Sequence, residues 1–191
     1  NFNNGYVSLT GVLRVGCSSG GLPDDYTEIG SDFMDIFLGN QCKFYLCTDS
    51  GILAPPQFFR KPIVKVNCIT IRRLQIHNLD SILILKKFYS KSKKRLLSFK
   101  EIVQMENIVG DFGTQKFRDD YNDIEIIENS PEEIDDAAQE MNQRLEGSWV
   151  EKSEDINLQN QFWTINRMGS YKSEKLLIGT KFLKKYKELL D

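Results

Sequence analysis

The stretch from Lys43 to Asn67, KFYLCTDSGILAPPQFFRKPIVKVN, constrains the fold more than any other part of the chain. Phe44 to Cys47 is a short apolar run, the pattern of a strand covered on both faces. Thr48-Asp49-Ser50-Gly51 breaks it with small and turn-forming residues. A short apolar segment comes next, whose Phe58 and Phe59 are expected to face a core. Pro62 then opens a β-branched run, Ile63-Val64-Lys65-Val66, closed by Asn67. Two apolar strands joined by a helical crossover make a parallel βαβ unit. Ligands of open α/β sheets sit at the carboxyl ends of strands, where Thr48 to Gly51 lies. Gly51 lets a ligand approach the backbone, and the next helix offers unpaired N–H groups to an anion. The segment therefore reads as a cradle for a phosphate or pyrophosphate.

A second loop points the same way. Val12 to Val15 reads as the first strand, and Gly16-Cys-Ser-Ser-Gly-Gly-Leu-Pro23 extends from its carboxyl end. Gly16, Ser18, Ser19 and Gly20 are small enough to leave backbone N–H groups open to a phosphate. No Gly-Lys-Ser/Thr comes after them, so this is not a Walker loop. Taken alone it reads equally well as an ordinary surface loop; its weight comes from sharing a sheet end with Thr48 to Gly51. Arg14, just before it, is placed to reach a phosphate or to form a plain structural salt bridge.

Caps and periodicity define the remaining elements. Ser31 caps an expected helix in which Phe33, Ile36 and Phe37 take core spacing, and Asp32 and Asp35 suit its N-terminal dipole better than a paired catalytic role. Ser81 to Leu85 is a further strand. The basic tract of Lys86, Lys87, Lys91, Lys93, Lys94 and Arg95 reads as a solvated loop, or as a patch that attracts anionic headgroups or an anionic acceptor. Ser98-Phe-Lys-Glu101 is a capping box for a helix through about Met105, and Asn107 to Asp123 reads as a long polar loop. Ile124 to Ile127 is a strand. Ser130, Pro131 and Glu133 then start the best-marked helix, with Ile134, Ala137, Ala138, Met141 and Leu145 as its apolar stripe and Gly147 as its stop. From about Glu154 no further strand is expected, only two helices around Leu158 to Ile165 and Leu176 to Leu190.

These residues carry a family resemblance. Asp32 to Leu38, Cys42-Lys-Phe44, Ser50-Gly51, Lys61-Pro62 and Asn67, with Leu97 to Ile102 and Glu128 to Ile134, resemble in order and spacing a bacterial glycosyltransferase family of surface polysaccharide clusters. The likeness spans roughly Gly11 to Leu145, with an echo in Leu177 to Leu183. It also resembles the nucleotide-sugar half of GT-B glycosyltransferases and the related sugar-nucleotide 2-epimerases. The resemblance implies an α/β fold, a Rossmann-like parallel sheet flanked by helices, as one half of a GT-B enzyme. Residues 1–150 would form the nucleotide-sugar-binding domain and residues 151–191 a C-terminal helical extension. It implies a metal-independent transferase without a resident cofactor, its nucleotide-sugar being a substrate. The diphosphate would rest on Thr48, Asp49, Ser50 and Gly51 with help from Gly16 to Gly20 and Arg14. Asp49 is the candidate base for the acceptor hydroxyl. One departure stands out: many relatives carry a ribose-holding Glu shortly after the Ser-Gly, whereas Ala54-Pro55-Pro56-Gln57 has no carboxylate. Glu128, just past a strand end, is the candidate replacement.

Composition bounds the alternatives. A chain of 191 residues with 40% apolar and 11% aromatic content can build a core. Its net charge of −2 argues against a general nucleic-acid partner. No apolar run reaches the ~18 residues of a membrane span, and the expected location is the cytoplasm, with peripheral inner-membrane contact through Lys86 to Arg95. The single histidine, His77, rules out a two-histidine metal site within the chain, and no Asp-x-Asp motif occurs. Cys17, Cys42, Cys47 and Cys68 form no Cys-x-x-Cys pair and read as free core thiols of a reducing compartment. The chain opens without Met, and only one Rossmann-like half is legible. The expectation is a fragment whose partner is the missing N-terminal half and which is inactive alone. Two further readings stay open: a non-catalytic nucleotide-binding or interaction module of the same fold, and an epimerase relative.

Overall fold

The computed structural model describes residues 7–8, 12–14, 32–48, 57–71, 80–165 and 176–191. Nine strands lie among them. Six of these are β1 (Val7–Ser8), β2 (Val12–Arg14), β3 (Phe44–Cys47), β4 (Ile63–Cys68), β5 (Ser81–Leu85) and β9 (Leu176–Ile178). They form one sheet in the order β1-β2-β3-β4-β5-β9. Only β1 is antiparallel to its neighbour; the other pairings are parallel. β3 and β5 are buried at every position, as expected of strands covered on both faces. The fold is α/β, with a Rossmann-like parallel sheet flanked by helices.

The other three strands, β6 (Lys87–Ser90), β7 (Arg95–Leu96) and β8 (Ile124–Ile127), form an antiparallel sheet of order β7-β6-β8. Only Lys86 separates β6 from β5, so this sheet springs directly from a carboxyl end of the main one. The residues read as one solvated basic loop are thus a hairpin, and Lys87 in it is buried.

Helix α1 (Asp32–Gln41) crosses from β2 to β3. Cys42 precedes β3, and its buried thiol donates to the Gly39 carbonyl at 3.2 Å, closing the end of α1. Ile36 and Phe37, expected in the core, are each about half exposed. Phe58 is 82% exposed and meets Phe59 edge-on. The turn that bonds Arg60 N–H to the Gln57 carbonyl swings the chain into β4 and leaves Phe58 on the outside.

Local signals set the next helices. In α2 (Phe99–Val109), Ser98 and Glu101 form the reciprocal capping box. The helix runs past Met105 because Ile102, Met105 and Val109 keep burying one face; Gly110, at φ 76°, ends it. The span 107–123 is not a loop: α3 (Gln115–Asp120) forms within it, capped by Thr114. Phe112 packs against both Phe88 and Phe117, and that buried aromatic cluster stabilises a helix too short to persist alone. Helix α4 (Pro131–Leu145) begins as expected, with the Ser130–Glu133 box and Pro131 in its first turn, and Ala137, Ala138 and Met141 buried.

The expectation that strands end near Glu154 is corrected. After α5 (Ser153–Ile165), Leu176 to Ile178 forms β9 rather than helix, paired in parallel with Ser81 to Leu83 of β5. Leu176 and Ile178 are buried with Leu177 half-buried between them, the period of a strand. Gly179 turns the chain into α6 (Thr180–Lys185), and a short 3-10 helix, Lys187–Leu190, comes last. A Cβ on Gly179 would lie 2.8 Å from the Ile84 Cγ2, so glycine is what lets this turn lie against β5. Among the described residues, no helix is long and apolar enough to cross a membrane.

Candidate functional site

Parallel register fixes the geometry of the carboxyl edge. Arg14, the last residue of β2, pairs with Leu46, one residue short of the end of β3. Cys47 pairs with Lys65 of β4, and Cys68 pairs with Leu85, the last residue of β5. Arg14, Thr48, Asn67 and Lys86 therefore stand along one edge of four adjacent strands, spaced ~4.8 Å per strand. Arg14 ends β2 and Thr48 lies just past the end of the neighbouring strand β3. Gly16, Ser18, Ser19, Gly20, Asp49, Ser50 and Gly51 lie outside the described residues.

Glu128 comes after β8, yet it belongs to the same edge. The connection runs through Asn67 and Asn129. Asn67, at φ 55°, is the left-handed residue of an irregularity where the β4–β5 register shifts between Lys65 and Cys68. Asparagine tolerates that conformation better than a branched residue. Its N–H donates to the Asn129 Oδ1 at 2.7 Å, and the Asn129 N–H donates to the Asn67 Oδ1 at 2.7 Å. The Asn129 Nδ2 also donates to the carbonyl of Leu85 at 2.8 Å. One buried amide thus ties the β8–α4 connection to the ends of both β4 and β5.

The adjoining groups fix the rest of that connection. The Lys87 Nζ donates to the Glu128 carbonyl and to the Glu133 Oε2, each at 2.7 Å. Glu133 is nearly fully buried and also accepts from Ser130 N–H, Lys185 Nζ and Tyr186 OH. Burial pushes its carboxyl pKa up, but donation by Lys185, Lys87, Tyr186 and the Ser130 backbone outweighs it and holds the group at about 2. The Glu128 carboxylate stands outside this knot. Its side chain is 70% exposed, and its partner is the Lys86 Nζ at 3.0 Å. Such an exposed pair is weak, so both groups can exchange partners for a ligand.

What sequence reasoning missed at this edge is Asn129 and the burial of Lys87. An Asn closing a β-branched run was the available hint for Asn67. Nothing local marks its partner, 62 residues away. Of the basic tract, Lys86, Lys87, Lys93 and Arg95 are taken up by Glu128, Glu133 and Glu101. A separate broad depression of about 520 Å3, lined by Arg95, Leu96, Ser98, Glu101 and Glu188, lies away from the sheet edge. Its charged groups Arg95 and Glu101 already bond each other. Among the described residues, no group of three or more His, Cys, Asp or Glu is arranged to hold a metal ion.

The fold and edge define an α/β protein with a parallel-sheet carboxyl edge carrying polar and charged residues from several strands. No protein-family model, no curated protein and no solved structure matches the chain.

Proposed function

We propose that this chain is the donor-binding part of a glycosyltransferase, taking a nucleotide-sugar at the carboxyl edge of its main sheet. The observation that supports the reading is the parallel pairing of Arg14 with Leu46, which sets the carboxyl ends of β2 and β3 side by side. Both loops are built of small residues, and Arg14 supplies a permanent cation for a diphosphate. Backbone N–H groups of Ser50 and Gly51 would hold the leaving nucleoside diphosphate as the glycosidic bond breaks. Glu128 would accept hydrogen bonds from ligand hydroxyls, filling the role that Ala54 to Gln57 lacks a carboxylate for. Asp49 is the candidate for the acceptor's proton. The role in bacterial surface polysaccharide assembly, the cytoplasmic location, the inner-membrane contact and the second Rossmann-like half all rest on the sequence resemblance.

Calorimetric titration of the chain with uridine, guanosine and adenosine diphosphates tests the reading. Saturable binding of one of them, lost when Arg14 is replaced by Ala, supports it. A non-catalytic module of the same fold would bind too, so the enzymatic part is tested separately, by mixing the chain with sugar nucleotide and acceptor extracts.

A further inference from the structure

The Glu128 carboxylate is exposed, yet its backbone is held more firmly than a surface loop needs. Its carbonyl accepts from the buried Lys87 Nζ. The next residue, Asn129, is 7% exposed and exchanges two reciprocal hydrogen bonds with Asn67, while its Nδ2 donates to the Leu85 carbonyl and, at 3.4 Å, to the Glu133 Oε2. The hydrogen bonds converge on groups shielded from solvent, and what they deliver to solvent is one carboxylate with Lys86 beside it. Helix α4 has its own N-cap in Ser130 and does not need Asn129 to begin.

We propose that Asn129 is a positioning residue: by clamping the left-handed Asn67 at the end of β4, it fixes the Glu128 carboxylate where it accepts from the hydroxyls of a bound nucleoside diphosphate. This rests on the functional reading above and deepens it. Asn129 touches no ligand itself and acts through Glu128. The clamp also sets the end of β4, the strand next to the one that leads into Thr48 to Gly51. A mobile backbone at Glu128 would add its own ordering to the cost of binding; a clamped one is ordered beforehand and leaves only the side chain to be placed.

The test compares the nucleoside diphosphate that binds the wild-type chain tightest with inorganic pyrophosphate, which carries the anion but no sugar hydroxyl. Glu128→Gln and Asn129→Ala should each weaken the nucleoside diphosphate by roughly tenfold, the scale of one hydrogen bond to a charged group, and leave pyrophosphate unchanged. The double variant should be no weaker than either single one, since both remove the same contact. Should Asn129→Ala fail to fold, Asn67→Gly serves: glycine accepts the left-handed backbone and deletes the Oδ1 that pins Asn129. Asn67→Asp, which keeps that acceptor, should bind as wild type. Folded clamp variants that keep wild-type affinity, lose pyrophosphate equally, or add their loss to that of Glu128→Gln overturn the inference while the functional reading stands. A wild-type chain that binds pyrophosphate and no nucleoside diphosphate better overturns both.

Discussion

The Lys87 Nζ lies 2.7 Å from the Glu133 Oε2, and both side chains are almost completely buried where β6 meets α4. The pair joins the antiparallel sheet to the helix that covers the parallel one. Lys185, Tyr186, the Ser130 backbone and, at 3.4 Å, the Asn129 Nδ2 also donate to the carboxylate. A charge in such a place is tolerable only while its partners are present.

Removing that carboxylate should therefore be strongly destabilising. Glu133→Gln leaves the Lys87 ammonium buried without its counter-ion and should cost about 3–5 kcal/mol. Ser130→Ala removes only the hydroxyl that accepts from Glu133 N–H and should cost about 1 kcal/mol. Urea denaturation midpoints check the order of the two; equal losses would mean Glu133 acts merely as the second half of the cap.

The same carboxylate should govern acid stability. Its folded pKa, about 2, lies below the ordinary carboxylate value of 4.5 that applies when the chain is unfolded. The stabilisation is thus fully present above about pH 4.5 and is lost as pH falls toward 2. Glu101, held at about 2 chiefly by its hydrogen bond from Arg95, titrates in the same window but is partly exposed and screened, so it adds less. Melting temperature recorded from pH 6 to pH 2 should fall steeply for the wild type, and Glu133→Gln should flatten that dependence.

Gly179→Ala should destabilise the chain by about 1–3 kcal/mol through overpacking, because the new methyl would meet the Ile84 Cγ2 at 2.8 Å. The backbone there, at φ −49°, is ordinary, so the effect is steric alone. Thermal denaturation checks it. Gly110→Ala should cost for the opposite reason: its surroundings are open, while its φ of 76° disfavours a side chain.

How far these features were legible from sequence depends on the range of the forces involved. The boxes at Ser98–Glu101 and Ser130–Glu133 could be read because a cap is completed within four residues. The parallel pairing of β3 with β4 could be read because two apolar runs sit one short crossover apart. The burial of Lys87 could not, since its partner lies 46 residues on and a lysine-rich tract reads as solvated. Leu176 to Ile178 carries too few residues for its period to show, and only the free side of β5 makes it a strand. At the candidate site, the edge shared by Arg14 and Thr48 is a consequence of sheet geometry. The Asn67–Asn129 clamp depends on a fold-level meeting of two asparagines and leaves no local signature.

On the proposed reading the chain by itself should bind donor without turning it over, because its sequence carries only one legible Rossmann-like half. Incubation with labelled sugar nucleotides and candidate acceptors checks this. Sustained transfer by the isolated chain would place the missing chemistry within its own residues, with Asp49 first to be replaced.

Binding of a nucleoside diphosphate beside Thr48 is the claim on which the proposed function depends. Calorimetry of the wild-type chain and of Gly51→Val, with both shown to be folded by circular dichroism, measures it. Saturable binding of one nucleoside diphosphate by the wild type, abolished in Gly51→Val because the added side chain occupies the anion's place, is the predicted result. Wild-type titrations that stay flat for uridine, guanosine and adenosine diphosphates, or binding that Gly51→Val leaves intact, would contradict it.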